Sequence, residues 1–180
     1  HFKHKRVDKP RIVAVCDVSG SVAAHVRFLL LFLYALRGTV ADLEAFAFSN
    51  RLRDVGPPLE LLPFDDAMNL IIRDVGGGST DYGQAWQDLH DQHWHLIDGR
   101  TTVLVLGDGR SNQTDPRLDL FAELTARAKR VVWLSPEAEG RWGTGDSALL
   151  QYRPFCTHLG HSATAADLER AIDEALSAYG

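Results

Sequence analysis

Ile12-Val13-Ala14-Val15-Cys16-Asp17-Val18-Ser19-Gly20-Ser21 is the stretch that decides the fold of this chain. It begins with a short apolar run, and such a run predicts a buried strand over Ile12–Cys16. The residues that follow, 21–37, carry a largely apolar pattern that predicts a helix, with Ser21 as its N-cap. The stretch therefore predicts a strand that turns directly into a helix.

The turn between this strand and this helix carries oxygen-bearing side chains. Asp17, Ser19 and Ser21 alternate along the chain, which points them in the same direction, and Gly20 lets the backbone bend sharply below them. A carboxylate with hydroxyls is a set of hard oxygen donors that suits a cation such as Mg²⁺. Zinc and copper prefer nitrogen and sulfur ligands. On its own the motif is also compatible with a plain helix cap.

Glycines and oxygen donors recur at two later places. Gly76-Gly77-Gly78-Ser79-Thr80 precedes a predicted helix, and Gly107-Asp108-Gly109 ends a predicted strand. The triple glycine at 76–78 allows close approach of the backbone to a ligand, and Thr80 and Asp108 add further oxygens. Taken singly, the first is also a flexible loop with Thr80 or Asp81 as helix cap, and the second a tight turn. Their joint position at element ends predicts one shared site.

Strands and helices alternate along the chain. The apolar patterns predict strands over 12–16, 43–48, 51–55, 102–106, 130–134 and 154–159, and helices over 21–37, 65–74, 81–96, 116–129 and 165–179. Gly56-Pro57-Pro58 is interpreted as a break. This order predicts an α/β, doubly wound, Rossmann-like three-layer fold: a mostly parallel six-stranded sheet, one antiparallel edge strand, and helices on both faces. Ligands of such folds bind at the carboxyl ends of the strands, where the winding direction reverses.

Composition limits the possible functions. The 180 residues are enough for one domain, predicted over 11–180 after a basic lead-in over 1–10, and the net charge of −5 argues against nucleic acid or anionic membranes as partners. The longest strongly apolar run, Phe28–Leu36, falls far short of the ~20 residues that span a bilayer. Within it, Phe28–Leu33 is apolar nearly all round, which predicts deep burial. Cys16 and Cys156 are predicted to be small buried residues in strands, which favours a reducing, cytoplasmic location.

These motifs together resemble a von Willebrand factor type A (VWA) domain with a metal ion-dependent adhesion site. That site combines Asp-x-Ser-x-Ser, a threonine after glycines, and an aspartate after the fourth strand. The resemblance implies the metal ligands Asp17, Ser19, Ser21, Thr80 and Asp108. Ser79 intervenes between the glycines and Thr80, and Thr80 is preferred because Thr80-Asp81-Tyr82-Gly83 keeps the family spacing. The stretches 46–49, 106–112, 132–137 and 142–147 are similar to the bacterial CoxE-like branch.

The resemblance also implies a function. The hydroxyl ligands bring no formal charge, so a bound Mg²⁺ (Mn²⁺ or Ca²⁺ also fit) keeps water that an aspartate or glutamate of a partner protein can replace. CoxE-like proteins are similar to adaptors that work beside MoxR-type AAA+ ATPases on a client enzyme. The sequence shows no nucleophile or general base for catalysis, which favours a non-enzyme. The alternatives are a Mg²⁺-dependent hydrolase of a phosphate ester at the same site and a domain whose metal is only structural.

Several other polar residues have competing interpretations. Arg110, Ser111 and Asn112 follow Asp108 and form either a partner-binding rim, a support for Asp108, or an ordinary polar loop. Asp146 belongs either to the same rim or, with Ser147, to a helix cap. The cluster of His90, His93 and His95 indicates a solvated helix face more readily than a transition-metal site, because no cysteine or carboxylate geometry supports it.

Overall fold

Six strands form one sheet in the computed structural model, which describes residues 10–177, and the side chains as far as residue 174. The strands are β1 (Arg11–Asp17), β2 (Leu43–Phe48), β3 (Leu52–Asp54), β4 (Thr101–Leu106), β5 (Arg130–Ser135) and β6 (His158–His161). The helices are α1 (Val26–Leu36), α2 (Gly56–Leu61), α3 (Phe64–Asp74), α4 (Tyr82–His93), α5 (Leu118–Arg127), α6 (Leu149–Tyr152) and α7 (Ala165–Ser177). Apart from Pro10, the predicted lead-in lies outside the described residues, so this domain boundary stays a prediction.

The strand order is β3-β2-β1-β4-β5-β6; among the strands of residues 10–177, the β2–β3 pair is antiparallel and the other four pairs are parallel. The predicted doubly wound fold with one antiparallel edge strand is therefore confirmed. The winding reverses between β1 and β4, which pair in register with Cys16 opposite Leu106. Asp17 directly follows Cys16, and Asp108 comes two residues after Leu106, so the crevice expected at the reversal point lies between their two strands.

The central strand is buried on both faces, as is usual for parallel sheets. Ile12, Ala14 and Cys16 face a core shared with α1, α2, α3 and α7. Val13 and Val15 face a second, more aromatic core shared with α4, α5 and α6. Both predicted helical layers are present. Among the described residues, no helix is both long enough and apolar enough to cross a membrane.

The turn after β1 differs from the predicted continuous helix. Gly20–Val22 form a single 3₁₀ turn, and α1 begins at Val26 without Ser21 as its cap. The Ser21 hydroxyl is directed instead toward Ser19 and Thr80, so it is not available to cap a helix. The predicted break at Gly56-Pro57-Pro58 is also wrong, because α2 begins there; proline is favourable in the first turn of a helix, where its missing N–H costs nothing.

The end of the chain also deviates from prediction. β6 lies at His158–His161 rather than 154–159, because Arg153–Phe155 form a 3₁₀ turn after α6. Cys156 consequently lies in a connection and is half-buried, whereas Cys16 is fully buried in β1 as expected. Helix α5 begins late because Arg117 adopts a left-handed backbone conformation, with φ of 49°, that a helix cannot include.

The predicted deep burial of the apolar run in α1 is wrong for one of its faces. Leu31 is 47% exposed. It lies in a surface groove of about 590 Å³ between α1 and α7, which is lined by Phe28, Leu31, Phe32, Ala35, Leu36, Thr39, Ala165, Glu169, Ile172 and Asp173. An apolar helix turn therefore indicates burial only on the faces that a neighbouring element covers.

The buried carboxylate of Asp88, in α4, binds Arg51 and Leu52 at the β3 edge of the sheet. Asp88 accepts hydrogen bonds from Arg51 Nη2 at 2.8 Å, Arg51 Nε at 2.9 Å, Leu52 N at 3.0 Å and Gln84 Nε2 at 2.9 Å. Burial raises the pKa of Asp88, but these hydrogen bonds outweigh that effect and leave the pKa below its ordinary value of 3.8. The interaction therefore stabilises the fold at neutral pH.

Asp88→Asn is expected to lower the free energy of unfolding by about 2 kcal/mol at pH 7. The neutral amide no longer forms an ion pair with Arg51, and its NH₂ group faces two hydrogen-bond donors. The depressed pKa means that this contribution is present above the unfolded-state pKa and is lost as the pH falls through the folded-state pKa. Urea denaturation at pH 7 and in acid measures it. The exposed Asp91 on the same helix is the control, and equal effects of Asp88→Asn and Asp91→Asn would contradict the prediction.

Candidate metal centre

The carboxylate of Asp17 lies at the crevice, fully buried at the end of β1. Its Oδ1 accepts a hydrogen bond from the Ser19 amide at 2.9 Å, and its Oδ2 accepts one from the Tyr82 hydroxyl at 2.8 Å. Burial, followed by repulsion from Asp108, raises the pKa of Asp17 from 3.8 to about 7. The site thus holds this charge at an energetic cost that a nearby cation would relieve.

Three hydroxyl groups are gathered beside this carboxylate. The Ser19 Oγ lies 2.6 Å from Thr80 Oγ1 and 3.1 Å from Ser21 Oγ, and Ser21 Oγ lies 3.5 Å from Thr80 Oγ1. Ser19 and Thr80 are buried, whereas Ser21 is exposed. The hydroxyls therefore form a compact group that opens to solvent on the Ser21 side.

Backbone hydrogen bonds bring the glycine loop to this turn. The Gly20 amide donates to Gly78 O at 3.1 Å, and the Gly77 amide donates to Val18 O at 3.1 Å. Gly77 has a φ of 75°, a backbone conformation that residues other than glycine rarely adopt. The loop thereby presents the buried Thr80 to the serines and leaves Ser79 exposed.

Asp108 supplies the second carboxylate, from the loop that follows β4. Its Oδ1 accepts a hydrogen bond from the Arg110 amide at 2.9 Å. Its Oδ2 is buried and has no hydrogen-bond partner within the described part of the chain. Burial raises the pKa of Asp108, although the Arg110 amide and the Ser21 side chain counteract it. Buried polar atoms are rarely left unpaired, and a carboxylate that has the Ser21 side chain nearby offers oxygen ligands that suit a hard divalent cation.

The predicted rim residues lie together, and their polar groups hydrogen-bond to one another and to Glu137. The Arg110 guanidinium contacts both oxygens of Glu137, at 2.8 and 2.9 Å, and Asp146 Oδ1 at 3.1 Å. Asp146 also accepts from the amide of Asn112 at 3.0 Å, while its backbone oxygen accepts from Ser111 Oγ at 3.1 Å. The interpretation of Asp146 as a helix cap is wrong, because its carboxylate is used here and α6 begins after Ala148.

Two residues of this site were not predicted from the sequence. Tyr82 is fully buried, yet its hydroxyl contacts Asp17. Gly107 lies against both, since an added Cβ would overlap with the Tyr82 hydroxyl and come within 2.7 Å of Asp17 Cβ. The only signals were that Tyr82 follows Thr80 closely and that a buried tyrosine hydroxyl needs a polar partner.

The histidine cluster does not form a ligand set. His90 Nδ1 lies 3.3 Å from Asp91 Oδ1, whereas the ring of His93 packs against Phe46 with centroids 4.5 Å apart. His95 lies in the 3₁₀ turn beyond the helix. Within residues 10–177, no three His, Cys, Asp or Glu side chains are grouped to hold a metal. A transition-metal site at the histidines therefore finds no support.

The doubly wound sheet and the Asp-x-Ser-x-Ser turn at the end of its central strand define the class of this protein, a von Willebrand factor type A domain. The family described as "VWA domain containing CoxE-like protein" matches residues 1–171, and the chain belongs to this family. The predicted CoxE-like membership is thereby confirmed. No curated protein matches the chain significantly in sequence.

Several solved structures share the fold. The von Willebrand factor type A protein from Catenulispora acidiphila superposes with a TM-score of 0.66 at 14% identity, covering 95% of this chain and 42% of that protein. Proximal thread matrix protein 1 from the mussel byssus, with a zinc-occupied MIDAS motif, gives 0.61 at 16% identity, covering 92% and 46%. The manganese-loaded TRAP protein of Plasmodium vivax gives 0.59 at 13% identity, covering 92% and 74%. The chain thus spans less than half the length of the first two.

Proposed function

We propose that this domain is a protein-binding module that captures an aspartate or glutamate of a partner through a divalent cation. The cation would be held by Asp17, Ser19, Ser21, Thr80 and Asp108. The observation that carries the proposal is the buried Asp108 Oδ2, which has no hydrogen-bond partner in the described structure, on a carboxyl whose pKa, raised by burial, is lowered in part by the side chain of Ser21, a member of the hydroxyl group. Ser21 is exposed, so the site is accessible from solvent on that side.

The charges of the ligand set support capture of an anion. The three hydroxyls are neutral, and both oxygens of Asp17 already accept hydrogen bonds from Ser19 N and Tyr82. A divalent cation bound largely through neutral hydroxyls would keep water in its shell, and a further carboxylate could take the place of that water. We propose Mg²⁺ as the ion, with Mn²⁺ or Ca²⁺ as alternatives; the zinc-occupied and manganese-loaded relatives support a site of this general type.

The same contacts argue against the hydrolase alternative. A phosphate ester would need a general base and a cationic group beside the metal. Asp17 is held through both oxygens, and Arg110, the cationic side chain closest in sequence to Asp108, is bound to Glu137 and Asp146. We therefore propose a non-enzymatic role. Turnover of a general phosphatase substrate that depends on Mg²⁺ would contradict it.

Membership of the CoxE-like family supports a more specific extension of the proposal. We infer that the partner is a MoxR-type AAA+ ATPase or the client enzyme that such an ATPase remodels, in the cytoplasm. The net charge of −5 is consistent with a partner other than nucleic acid or an anionic membrane. The acidic side chain of the partner would occupy the cation's open position.

Thr80→Ala and Ser79→Ala form a matched pair that tests the proposal. Thr80 is buried with its hydroxyl 2.6 Å from Ser19 Oγ, whereas Ser79 is exposed. Thr80→Ala is expected to abolish capture of partners from the native cell extract, whereas Ser79→Ala is expected to leave it unchanged. The immobilised domain, with and without EDTA, is compared by quantitative mass spectrometry. Proteins retained equally in EDTA and by Thr80→Ala would show that capture does not use this site.

A further inference from the structure

The hydroxyl group of Tyr82 lies between the two carboxylate-bearing segments. It donates to Asp17 Oδ2 at 2.8 Å and accepts from the Gly109 amide at 3.1 Å. A phenol has a single proton, and because the Gly109 N–H can only donate, that proton is directed to the carboxylate. One hydroxyl therefore connects the end of β1 with the residue after Asp108.

The ring of Tyr82 holds this hydroxyl in place. It is fully buried and packs against Phe48, with centroids 4.8 Å apart, and against Trp133, with centroids 5.4 Å apart. On the side of the hydroxyl, Gly107 leaves just enough room, since a Cβ there would overlap with it. The phenol is thus fixed before any ligand binds.

We propose that Tyr82 is the positioning residue of the metal centre. Its hydroxyl sets the orientation of the Asp17 carboxylate and, through the Gly109 amide, the distance between that carboxylate and Asp108. This inference rests on the metal site proposed above. Without the hydroxyl, Asp17 Oδ2 loses its donor and the loop after β4 loses a fixed point, so both acidic groups become less well placed for a cation.

Tyr152 provides a matched control within the same aromatic cluster. Its ring stacks on Trp133 with centroids 4.9 Å apart. Its hydroxyl donates to Pro116 O at 2.6 Å and accepts from Trp86 Nε1 at 3.3 Å. It is as buried as Tyr82 but contacts neither carboxylate. Phenylalanine at either position removes one buried hydroxyl and two hydrogen bonds, so a purely structural role predicts similar consequences for both.

The test compares wild type, Tyr82→Phe and Tyr152→Phe after removal of bound metal. Calorimetric titration with MgCl₂ is expected to show an affinity ~10–100-fold lower for Tyr82→Phe and unchanged within twofold for Tyr152→Phe, as for other residues that orient metal ligands. The melting temperatures without metal are expected to fall by similar amounts. The amide resonances of Ser19 and Gly109 in ¹⁵N-labelled protein should shift in Tyr82→Phe only.

The outcomes separate this inference from the metal site itself. If wild type binds Mg²⁺ and Tyr82→Phe binds it equally well, or if both variants lose affinity equally, Tyr82 is a core residue and the inference is overturned. If wild type does not bind Mg²⁺, Mn²⁺ or Ca²⁺, the proposed metal site is wrong and the inference fails with it. A selective loss in Tyr82→Phe supports both.

Discussion

Asp108→Asn is expected to abolish cation binding and, at the same time, to stabilise the metal-free protein. Asp108 carries the buried oxygen without a partner, and its charge repels Asp17. Replacing a buried charge that faces an opposite charge costs about 3–5 kcal/mol, which corresponds to an affinity for Mg²⁺ roughly 100-fold lower or more. Without the cation, the same substitution removes repulsion between two buried acids.

The stabilisation is expected to depend on pH. The folded-state pKa of Asp17 is raised to about 7, so the free energy of unfolding falls as the pH rises through that value and Asp17 becomes charged. Asp108→Asn should therefore raise the free energy of unfolding by about 1 kcal/mol at pH 8 and by less at pH 5, where Asp17 is already neutral. Thermal unfolding in EDTA at both pH values measures this difference.

The exposed Asp115, in the same loop, serves as the control for Asp108. Asp115→Asn should leave Mg²⁺ affinity unchanged and should not stabilise the metal-free protein. An Asp108→Asn variant that binds Mg²⁺ with wild-type affinity would exclude Asp108 from the cation site. A variant less stable than wild type in EDTA at pH 8 would instead show that its hydrogen bond to Arg110 N outweighs the repulsion.

Gly107→Ala is expected to damage both the fold and the site. An added methyl group would overlap with the Tyr82 hydroxyl and lie 2.7 Å from Asp17 Cβ, so the phenol or β1 must shift. Overpacking of this kind costs about 3 kcal/mol in a well-packed core. Because the displaced groups orient Asp17, binding of Mg²⁺ should be lost in the same variant.

Urea denaturation and titration with MgCl₂ measure the two effects of Gly107→Ala. Gly99→Ala is the control, because nothing lies within 4 Å of a Cβ added there. This control should differ from wild type by less than about 1 kcal/mol. Wild-type stability of Gly107→Ala would mean that the contact between Tyr82 and Asp17 is looser than the geometry indicates.

Much of the fold was predictable because local patterns and long-range contacts agree. The apolar run of β1 is buried on both sides, which an uninterrupted apolar run predicts. Asp17 ends β1 and Asp108 comes two residues after β4, the neighbouring parallel strand, so the topology alone places both of them at the crevice. For Thr80, the glycines before it indicated a loop that can approach another backbone closely, and the bonds from Gly20 and Gly77 show this approach.

The remaining features depend on tertiary contacts that a linear pattern does not contain. Serine is a favoured helix N-cap, but the hydroxyl of Ser21 lies instead near Ser19 and near Thr80, which comes from a loop distant in sequence. Tyr82 resembles any core aromatic residue until the position of Asp17 is known. Leu31 lies in the run 28–33, for which a nearly all-round apolar pattern predicts deep burial, yet the arrangement of α1 and α7 leaves it exposed.

The ion pairs of Arg110 have a consequence for the kinetics of recognition. Its single positive charge is more than offset by the carboxylates of Glu137 and Asp146, so the rim adds no long-range attraction for an acidic partner. In the proposed mode of capture, encounter would rely on the cation alone, and the association rate should be near the ~10⁵–10⁶ M⁻¹s⁻¹ of uncharged surfaces and depend weakly on ionic strength. The same ion pairs fix both rim loops in advance, so little conformational entropy is lost when the partner docks. Differences in affinity between partners would therefore arise mainly from differences in the dissociation rate.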